Sequence, residues 1–241
     1  VLIEISEIRV NILRIVISIV SHNQQALCAR LLRSIDNFVL NNTHEVVITL
    51  TENTLTENVI KSERFRTYNI SNLRHKGFGE NHNDAFERFE SDFFFIVNPD
   101  IILTENLDFD LIVEQLITNR IDIASPQIIG VSGVVEDYKR ANLTFMNLLK
   151  RKFLKKKLET FDWLAGMFLI VNSTSFRKLQ GFDTDFFMYV EDCDLSMRAQ
   201  KVGMKIGDLE GFSVVHDARR ASTKSFKHLR WHITSLLRYW F

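Results

Sequence analysis

The segment FFFIVNPDII (residues 93–102) changes from apolar to polar in a single step. Its apolar part, Phe93–Val97, is typical of a strand that is buried on both faces of a parallel sheet. Pro99 has no backbone N–H for a β-ladder, so we expect strand pairing to stop there. Asp100 is therefore predicted to lie just beyond the carboxyl end of a central strand, where open α/β sheets bind ligands. Taken alone, the segment fits a plain solvated turn equally well.

Strand-like and helix-like patterns alternate on both sides of this segment. Strand patterns cover residues 14–20, 45–50, 65–70, 121–124, 161–171, 205–209 and 212–215. Helical patterns cover residues 25–39, 54–62, 79–89, 107–119, 145–154, 176–180, 192–202 and 223–240. Such alternation indicates βαβ units with right-handed crossovers, and therefore an α/β fold with a mostly parallel central sheet flanked by helices.

Composition limits the classes of partner and location. The 241 residues are enough for one large α/β domain, and the balance of 30 basic and 30 acidic residues predicts no nucleic-acid partner. Basic residues nevertheless concentrate in residues 139–157 and 219–238. Cys28 and Cys193 form neither a disulfide framework nor a metal motif, which fits a reducing cytosol. No uncharged apolar run approaches the ~18–20 residues of a transmembrane helix.

Polar residues follow three of the predicted strands. These residues are Ser21, His22, Asn23, Glu52, Asn53, Asn98 and Asp100. Because the carboxyl ends of parallel strands meet at one rim of a sheet, we expect these side chains to border a common ligand site. The chain lacks the glycine-rich fingerprints GxGxxG and GxxxxGK[ST], and the pair Gly77 and Gly79 falls short of both.

A second acidic cluster, Glu191, Asp192 and Asp194, lies at the predicted start of a helix. Carboxylates at a helix N-terminus are stabilised by the helix dipole, so a purely structural role is one explanation. General acid–base chemistry in a cleft is the other. The residue types alone do not decide between the two roles.

Three segments in this order resemble family 2 glycosyltransferases of the GT-A fold. They are Asn98-Pro99-Asp100, WLAG at 163–166 and GFDTDFFMYVEDCDLSMR at 181–198. Within that family the chain is most similar to bacterial rhamnosyltransferases that build O-antigen and other surface polysaccharides. The resemblance implies a single domain over residues 1–241. Its nucleotide-binding half is expected at about 14–125, its acceptor and catalytic half at about 126–218, and a C-terminal amphipathic helix at about 219–241.

The resemblance implies inverting transfer of a sugar from a nucleoside diphosphate donor, expected to be dTDP-L-rhamnose, to a glycan on a polyprenyl diphosphate. Mg²⁺ or Mn²⁺ would neutralise the leaving diphosphate. Asp100 matches the last position of the family's DxD metal motif, but its first position here is Asn98. His216 matches a family histidine near the diphosphate or the metal. In the catalytic pair Glu191-Asp192, Asp192 matches the family's general base.

Further residues match the family's substrate sites. Those predicted to contact the nucleotide are Ser21, His22, Asn23, Glu52, Asn53, Gly77, Phe78, Asn83 and Asn98. Glu52 stands where the family usually has aspartate. Trp163 and Gly166 are predicted to line the sugar and acceptor pocket, although strand packing would explain Trp163 equally well. A tight turn is a second explanation for Gly77.

Two other functions fit the same architecture. A non-catalytic module that binds sugar nucleotides or glycans would have no use for the general base Asp192. A nucleotidyltransferase would need a basic glycine-rich loop after the first strand, which residues 21–25 do not supply. We expect a cytoplasmic protein. Peripheral contact with the inner face of the bacterial inner membrane, through the basic C-terminal helix, is a hypothesis; packing of that helix on the domain is the simpler expectation.

Overall fold

A computed structural model describes residues 12–39, 42–55, 59–104, 107–144, 147, 161–218 and 226–241. Its strands are β1 (Arg14–Ser21), β2 (Glu45–Glu52), β3 (Arg66–Ser71), β4 (Phe93–Val97), β5 (Ile101–Leu103), β6 (Ile123–Gly130), β7 (Lys139–Arg140), β8 (Trp163–Leu164), β9 (Phe168–Asn172) and β10 (Ile206–His216). Its helices are α1 (Gln25–Phe38), α2 (Phe78–Arg88), α3 (Phe109–Thr118), α4 (Ser173–Lys178), α5 (Glu191–Lys201) and α6 (Phe226–Trp240).

Eight strands form the central sheet in the order β3-β2-β1-β4-β9-β6-β10-β5. The four strands from β3 to β4 run parallel to one another, and β10 runs parallel to β6. Strand β9 runs antiparallel to both β4 and β6, and β5 runs antiparallel to β10. The predicted α/β fold with a mostly parallel sheet is confirmed.

Strand β4 is buried along its whole length between β1 and β9. Phe94 packs against Phe176 of α4 with ring centroids 5.5 Å apart, whereas Phe95 packs against Phe109 of α3 at 5.3 Å. Successive side chains of a strand point to opposite faces, so these two phenylalanines anchor helices on both sides of the sheet. The apolar run of the sequence is therefore the two-sided core of the fold.

Three predicted strands differ in the structure. The segment 161–171 is divided by a turn at residues 165–167, so that β8 pairs with β7 in a separate two-stranded sheet and only β9 joins the main sheet. Residues 205–209 and 212–215 form a single strand, β10, whose register against β6 shifts between Asp208 and Ser213. Gly211, with φ of +80°, supplies the left-handed backbone inside that irregularity.

Three predicted helices fall wholly or partly outside the described residues, one of them, at 223–240, only in its first three residues. Of the candidate at 54–62, residues 54, 55 and 59–62 are described and none is helical. The candidate at 145–154 lies outside the described residues except for residue 147. Among the residues that the structure does describe, no helix is both long and apolar enough to cross a membrane.

Candidate active site

A cavity of about 660 Å³ lies at the carboxyl ends of β1, β2 and β4. Nine of the predicted site residues line it: His22, Asn53, Phe78, Asn98, Asp100, Trp163, Gly166, Glu191 and Asp192. Six do not line it: Ser21, Asn23, Glu52, Gly77, Asn83 and His216. The structure thus brings together the two acidic centres of the sequence, which lie about ninety residues apart in the chain.

Asp192 lies in the first turn of α5 and is held by backbone amides. The Gly166 N–H donates to Asp192 Oδ2 at 2.8 Å, and the Cys193 N–H donates to Asp192 Oδ1 at 2.9 Å. Burial raises the pKa of Asp192, while the Gly166 amide and the nearby charge of Arg140 oppose that rise. A carboxylate with a raised pKa and a fixed orientation at a cavity wall has the properties of a general base.

Glu191 has a different environment from its neighbour. Its side chain is buried, and its Oε2 atom has no hydrogen-bond partner. Burial, together with the charge of Asp192, raises the pKa of Glu191 well above its ordinary value. Of the two residues, only Asp192 has backbone N–H donors on both carboxylate oxygens, and these donors stabilise its charged form.

The backbone just before this pair is strained. Tyr189 and Val190 have φ values of +70° and +73°, a left-handed conformation that is uncommon for non-glycine residues and unfavourable for a β-branched one. Such strain costs of order 1–3 kcal/mol per residue and persists only where surrounding contacts enforce it. Here the Tyr189 hydroxyl lies 2.7 Å from His228 Nδ1, and the Ser235 hydroxyl donates to the Met188 carbonyl at 2.9 Å. Helix α6 therefore helps to hold the strained segment.

Asp100 is part of a chain of three charged side chains. Strand β5 pairs with β10 so that His216 lies opposite Ile101, next to Asp100. His216 Nε2 lies 3.3 Å from Asp100 Oδ2, and His216 Nδ1 lies 2.9 Å from Glu136 Oε2. Burial alone would lower the pKa of His216, but hydrogen bonds and charges from Asp100 and Glu136 outweigh it and raise that pKa to about 9.

The donor set near Asp100 suits a weakly held oxygen-preferring cation. Asp100 Oδ1 is buried without a hydrogen-bond partner, which leaves one carboxylate oxygen available for a ligand. Among the described residues no group of three or more histidine, cysteine, aspartate or glutamate side chains could hold a metal ion. A divalent ion would therefore depend on oxygens from a bound diphosphate and from water, as Mg²⁺ commonly does.

Glu52 lies behind the cavity and closes the loop after β1. Its carboxylate accepts hydrogen bonds from the Ser21 hydroxyl at 2.7 Å and from the Asn23 N–H at 2.8 Å. Side chains of Gln25 and Thr54 also donate to it, at 3.3 Å each. The structure thus places Glu52 and Ser21 where they shape the loop that carries His22, rather than where they border the cavity.

Asn53 positions the loop between β3 and α2. Its amide donates to the Lys76 carbonyl at 2.7 Å and accepts from the Lys76 N–H at 2.9 Å. The Asn72 amide links it to Asn81, because it donates to Asn53 Oδ1 at 3.1 Å and to Asn81 Oδ1 at 2.6 Å. This buried network of amide side chains holds His75 and Lys76 at the cavity. Asn72 and Asn81 were not predicted, since nothing local distinguishes them from loop residues.

Gly77 is required by a close approach rather than by a tight turn. Its φ of −66° is ordinary for any residue. A Cβ atom there would lie 2.7 Å from the Phe187 carbonyl oxygen, which is closer than real contacts allow. The absence of a side chain lets the Phe78 N–H donate to that carbonyl at 2.9 Å. This bond joins the loop before α2 to the segment that precedes Glu191.

Two other polar side chains, those of Asn83 and Asp194, serve the fold. Asn83 exchanges two hydrogen bonds with the Phe182 backbone, at 2.8 and 2.9 Å. Asp194 accepts from Arg198 Nε at 2.7 Å, and Arg198 also donates to the carbonyls of Leu179 and Gly181. These bonds fasten the 179–182 turn to α2 and α5.

Trp163 both packs and borders the cavity. Its indole N–H donates to the Ala141 carbonyl at 2.8 Å, and its ring is almost fully buried. The Arg140 guanidinium carbon lies 5.0 Å from the Trp163 ring centroid, within cation–π range. Arg140, which the sequence identified only as part of a basic stretch, therefore lines the cavity.

Helix α6 contributes four lining residues that were not predicted as site residues: Lys227, His228, Trp231 and His232. Their spacing puts them on one face of a helix. Trp231 packs on Phe187 with ring centroids 4.8 Å apart. His22, opposite, has its pKa lowered by burial and by the charges of His75, Lys227 and His228, in spite of the opposing charge of Glu52. The sequence signal for these residues was the grouping of lysine and histidine side chains on one face of the predicted helix.

Relatives of known name are consistent with the predicted resemblance. No family model matches the chain. It is 28% identical over 185 residues to the rhamnosyltransferase WbbL of Escherichia coli. This match covers 68% of this chain and 69% of WbbL. A shorter match, 46% identical over 41 residues, is to an N-acetylglucosaminyl-diphospho-decaprenol L-rhamnosyltransferase of Mycobacterium tuberculosis, covering 17% of this chain and 13% of that protein. The predicted similarity to rhamnosyltransferases is confirmed.

Solved structures support the fold. The chain superimposes on GalNAc-T7 bound to UDP, GalNAc and Mn²⁺ with a TM-score of 0.68 at 16% identity, covering 88% of this chain and 44% of that one. The chain therefore spans less than half of that protein. At this identity the likeness shows the GT-A fold, as predicted. Together, the relatives and the fold support a glycosyltransferase enzyme.

Proposed function

We propose that the protein is an inverting glycosyltransferase that moves L-rhamnose from dTDP-L-rhamnose to a lipid-linked glycan in the synthesis of a bacterial surface polysaccharide. The observation that carries this proposal is the position of Asp192, held by two backbone amides at the wall of a cavity that also contains Asp100. The names of the relatives support rhamnose as the sugar and a polyprenyl diphosphate as the acceptor carrier.

In the proposed reaction Asp192 accepts the proton of the attacking acceptor hydroxyl. The acceptor oxygen forms its bond to the anomeric carbon as the bond from that carbon to the diphosphate oxygen breaks, so the nucleoside diphosphate leaves and the configuration inverts. The two amide donors fix the carboxylate for this transfer. Positioning of this kind contributes as much as the basicity itself.

The donor nucleotide would lie against the ends of β1 and β2. His22, Asn53 and Phe78 line that side of the cavity and would contact its base and ribose. Lys76 and Lys227, also in the lining, would lie near the diphosphate, although Lys76 is ion-paired with Asp84. Trp163 and Gly166 also line the cavity and would contact the sugar and the acceptor.

Mg²⁺ or Mn²⁺ is part of the proposal, with Asp100 and His216 as its protein ligands and Asn98 as a neutral neighbour. When bound, the ion would neutralise charge on the leaving diphosphate. His216 is protonated at neutral pH because its pKa is about 9, so ligation through its Nε2 atom requires loss of a proton. Glu136 would then orient the ring through Nδ1, as carboxylates commonly do behind metal-bound histidines.

The proposed location is the cytoplasm, with peripheral contact at the inner face of the bacterial inner membrane. The support is chemical: an acceptor carried on a polyprenyl diphosphate stays in the bilayer, so a transferase acting on it works at the membrane surface. The name of the mycobacterial relative contains such an acceptor.

Calorimetric titration with dTDP, UDP and GDP, each with and without Mn²⁺, tests this proposal. We expect dTDP to bind more tightly than the other two, and Mn²⁺ to strengthen the binding. Asp100→Asn should remove most of the effect of Mn²⁺ while leaving metal-free affinity unchanged. Failure of all three nucleotides to bind would exclude the transferase, and preference for UDP or GDP would exclude dTDP-L-rhamnose alone.

A further inference from the structure

Helix α6 has two faces of opposite character. Its inner face carries Lys227, His228, Trp231 and His232 at the cavity. Its outer face carries an apolar row at spacings of three and four residues: Phe226, Leu229, Ile233 and Leu237, called here the outer stripe. Trp240, which follows in the same spacing, is tied to the domain, because its indole N–H donates to the Leu143 carbonyl at 2.6 Å. In most surface helices of globular proteins the apolar face turns inward. In α6 it turns outward.

The outer stripe is exposed along the helix. The exposed fraction is 87% at Phe226, 53% at Leu229, 48% at Ile233 and 49% at Leu237. Fifteen helical residues span about 22 Å, so this is a continuous apolar row rather than a set of scattered side chains.

The helix cannot simply rotate to bury this stripe, because polar contacts fix its other side. The Ser235 hydroxyl donates to the Met188 carbonyl, and the Tyr239 hydroxyl donates to Asn142 Oδ1 at 2.7 Å. His228 Nδ1 lies 2.7 Å from the Tyr189 hydroxyl. Turning the apolar row inward would break all three contacts and remove the four inner residues from the cavity.

The charge of α6 suits an anionic surface. Residues 226–241 include Lys227, Arg230 and Arg238 and contain no aspartate or glutamate. Arg238 is paired with Asp183 and Asp185 on the domain. Arg230 flanks the stripe at an exposed position near its start, and Lys227 adds positive charge on the inner face of the same turn. An exposed apolar row on a helix that carries basic and no acidic residues is the pattern of a helix that lies in the interface of a bilayer.

We propose that the outer stripe of α6 is a membrane-docking surface that inserts into the headgroup region of an anionic bilayer. The proposal rests on the proposed function in one respect, since it supplies the route by which a lipid-linked acceptor reaches the cavity. A helix is about 10 Å across, so docking through the outer face brings the inner face, and the cavity that it lines, to within about one helix diameter of the lipid surface. The same helix thus carries membrane contact on one side and site residues on the other.

The test is sedimentation of the full chain with vesicles of phosphatidylcholine and phosphatidylglycerol, compared with vesicles of phosphatidylcholine alone. The variant Ile233→Gln with Leu237→Gln replaces two half-exposed apolar residues of the stripe, and glutamine preserves helix propensity. Leu111→Gln with Ile117→Gln is the matched control, because these residues of α3 are exposed to 50% and 57%. Dissociation constants for dTDP are measured on all three proteins.

We expect the unaltered protein to bind anionic vesicles, more weakly at high salt, and the stripe variant to lose about tenfold or more in partition coefficient. The control should bind vesicles normally, and all three should bind dTDP equally, since none of the four residues lines the cavity. If the unaltered protein bound anionic vesicles but did not bind dTDP, the proposed function would be overturned and the docking surface would stand.

Three results would overturn the docking surface itself. The first is an unaltered protein that does not sediment with anionic vesicles at low salt. The second is a stripe variant that sediments as well as the unaltered protein. The third is a dimer in solution that the stripe variant dissociates, without any vesicle binding, which would assign the stripe to a second copy of the chain.

Discussion

Glu52 and Asp192 are carboxylates at the same end of the sheet, but they differ in how many hydrogen bonds their oxygens accept. A carboxylate has about four lone-pair positions. Four donors, on Ser21, Asn23, Gln25 and Thr54, approach Glu52, and it does not line the cavity. Asp192 accepts two backbone amides and lines the cavity. The residue with unused capacity is the better candidate for chemistry.

Asn83 and Asp100, two other predicted site residues, also differ in whether their polar atoms all have hydrogen-bond partners. Asn83 gives both ends of its amide to Phe182, whereas Asp100 keeps one buried oxygen without a partner. Leaving such an oxygen unpaired inside a protein is unfavourable, which points to a ligand that would satisfy it. Proximity to the rim is therefore a weaker indicator of function than the number of unused polar atoms.

Replacing Asp192 should give the largest effect. Asp192→Asn keeps the shape and can still accept the Gly166 amide, but it removes the base, so we expect kcat to fall by about 10²–10⁴-fold with dTDP affinity nearly unchanged. Steady-state kinetics and calorimetry on the same preparation measure both. Loss of nucleotide binding, or retention of kcat, would remove the distinction between Asp192 and Glu52.

Replacing Glu52 should affect stability rather than turnover. Glu52→Gln weakens bonds that several donors make to a buried charge, so we expect the free energy of unfolding to fall by about 1–3 kcal/mol with little change in kcat. Urea denaturation and kinetics measure the two, with Glu87→Gln at an exposed position of α2 as the control. A large fall in kcat at unchanged stability would instead mean that Glu52 contacts the donor.

Glu191→Gln should have little effect at low pH and an effect that grows as pH rises. Because the pKa of Glu191 is raised in the folded state, the folded protein holds a proton that the unfolded chain releases above its ordinary pKa. The stability of the unaltered protein therefore decreases as pH rises through that interval, by about 1.4 kcal/mol per pH unit from this group. Glutamine removes the decrease, so thermal unfolding at several pH values should show the variant gaining relative stability as pH rises. A constant difference would mean that Glu191 is ionised in the folded protein.

Much of the architecture followed from local pattern. Strands β1, β2 and β4 lie where apolar runs predicted them, because a strand buried on both faces needs an unbroken run of such residues. Asp100 lies at the cavity because strand β4 ends just before Asn98 and Pro99. The break inside 161–171 and the reversed direction of β9 did not follow, since both depend on the strands that β8 and β9 pair with.

The candidate site was predictable in outline only. The place of Asp100 at the ligand edge was predicted from the strand pattern, whereas its metal role and the base role of Asp192 were assigned from motif resemblance. The roles of Glu52, Asn83 and Glu136 depend mainly on partners 27 to 99 residues away. No local pattern specifies such contacts.

Helix α6 shows where local information stops. Its amphipathic pattern predicted the helix, because spacings of three and four residues place side chains on one face whatever surrounds them. Which face turns toward the domain was decided by Met188, Tyr189 and Asn142, which meet the polar side of the helix from distant parts of the chain. Periodicity determines that a helix has an apolar face, whereas only contacts between distant segments determine whether that face is buried in the core or presented to the surroundings.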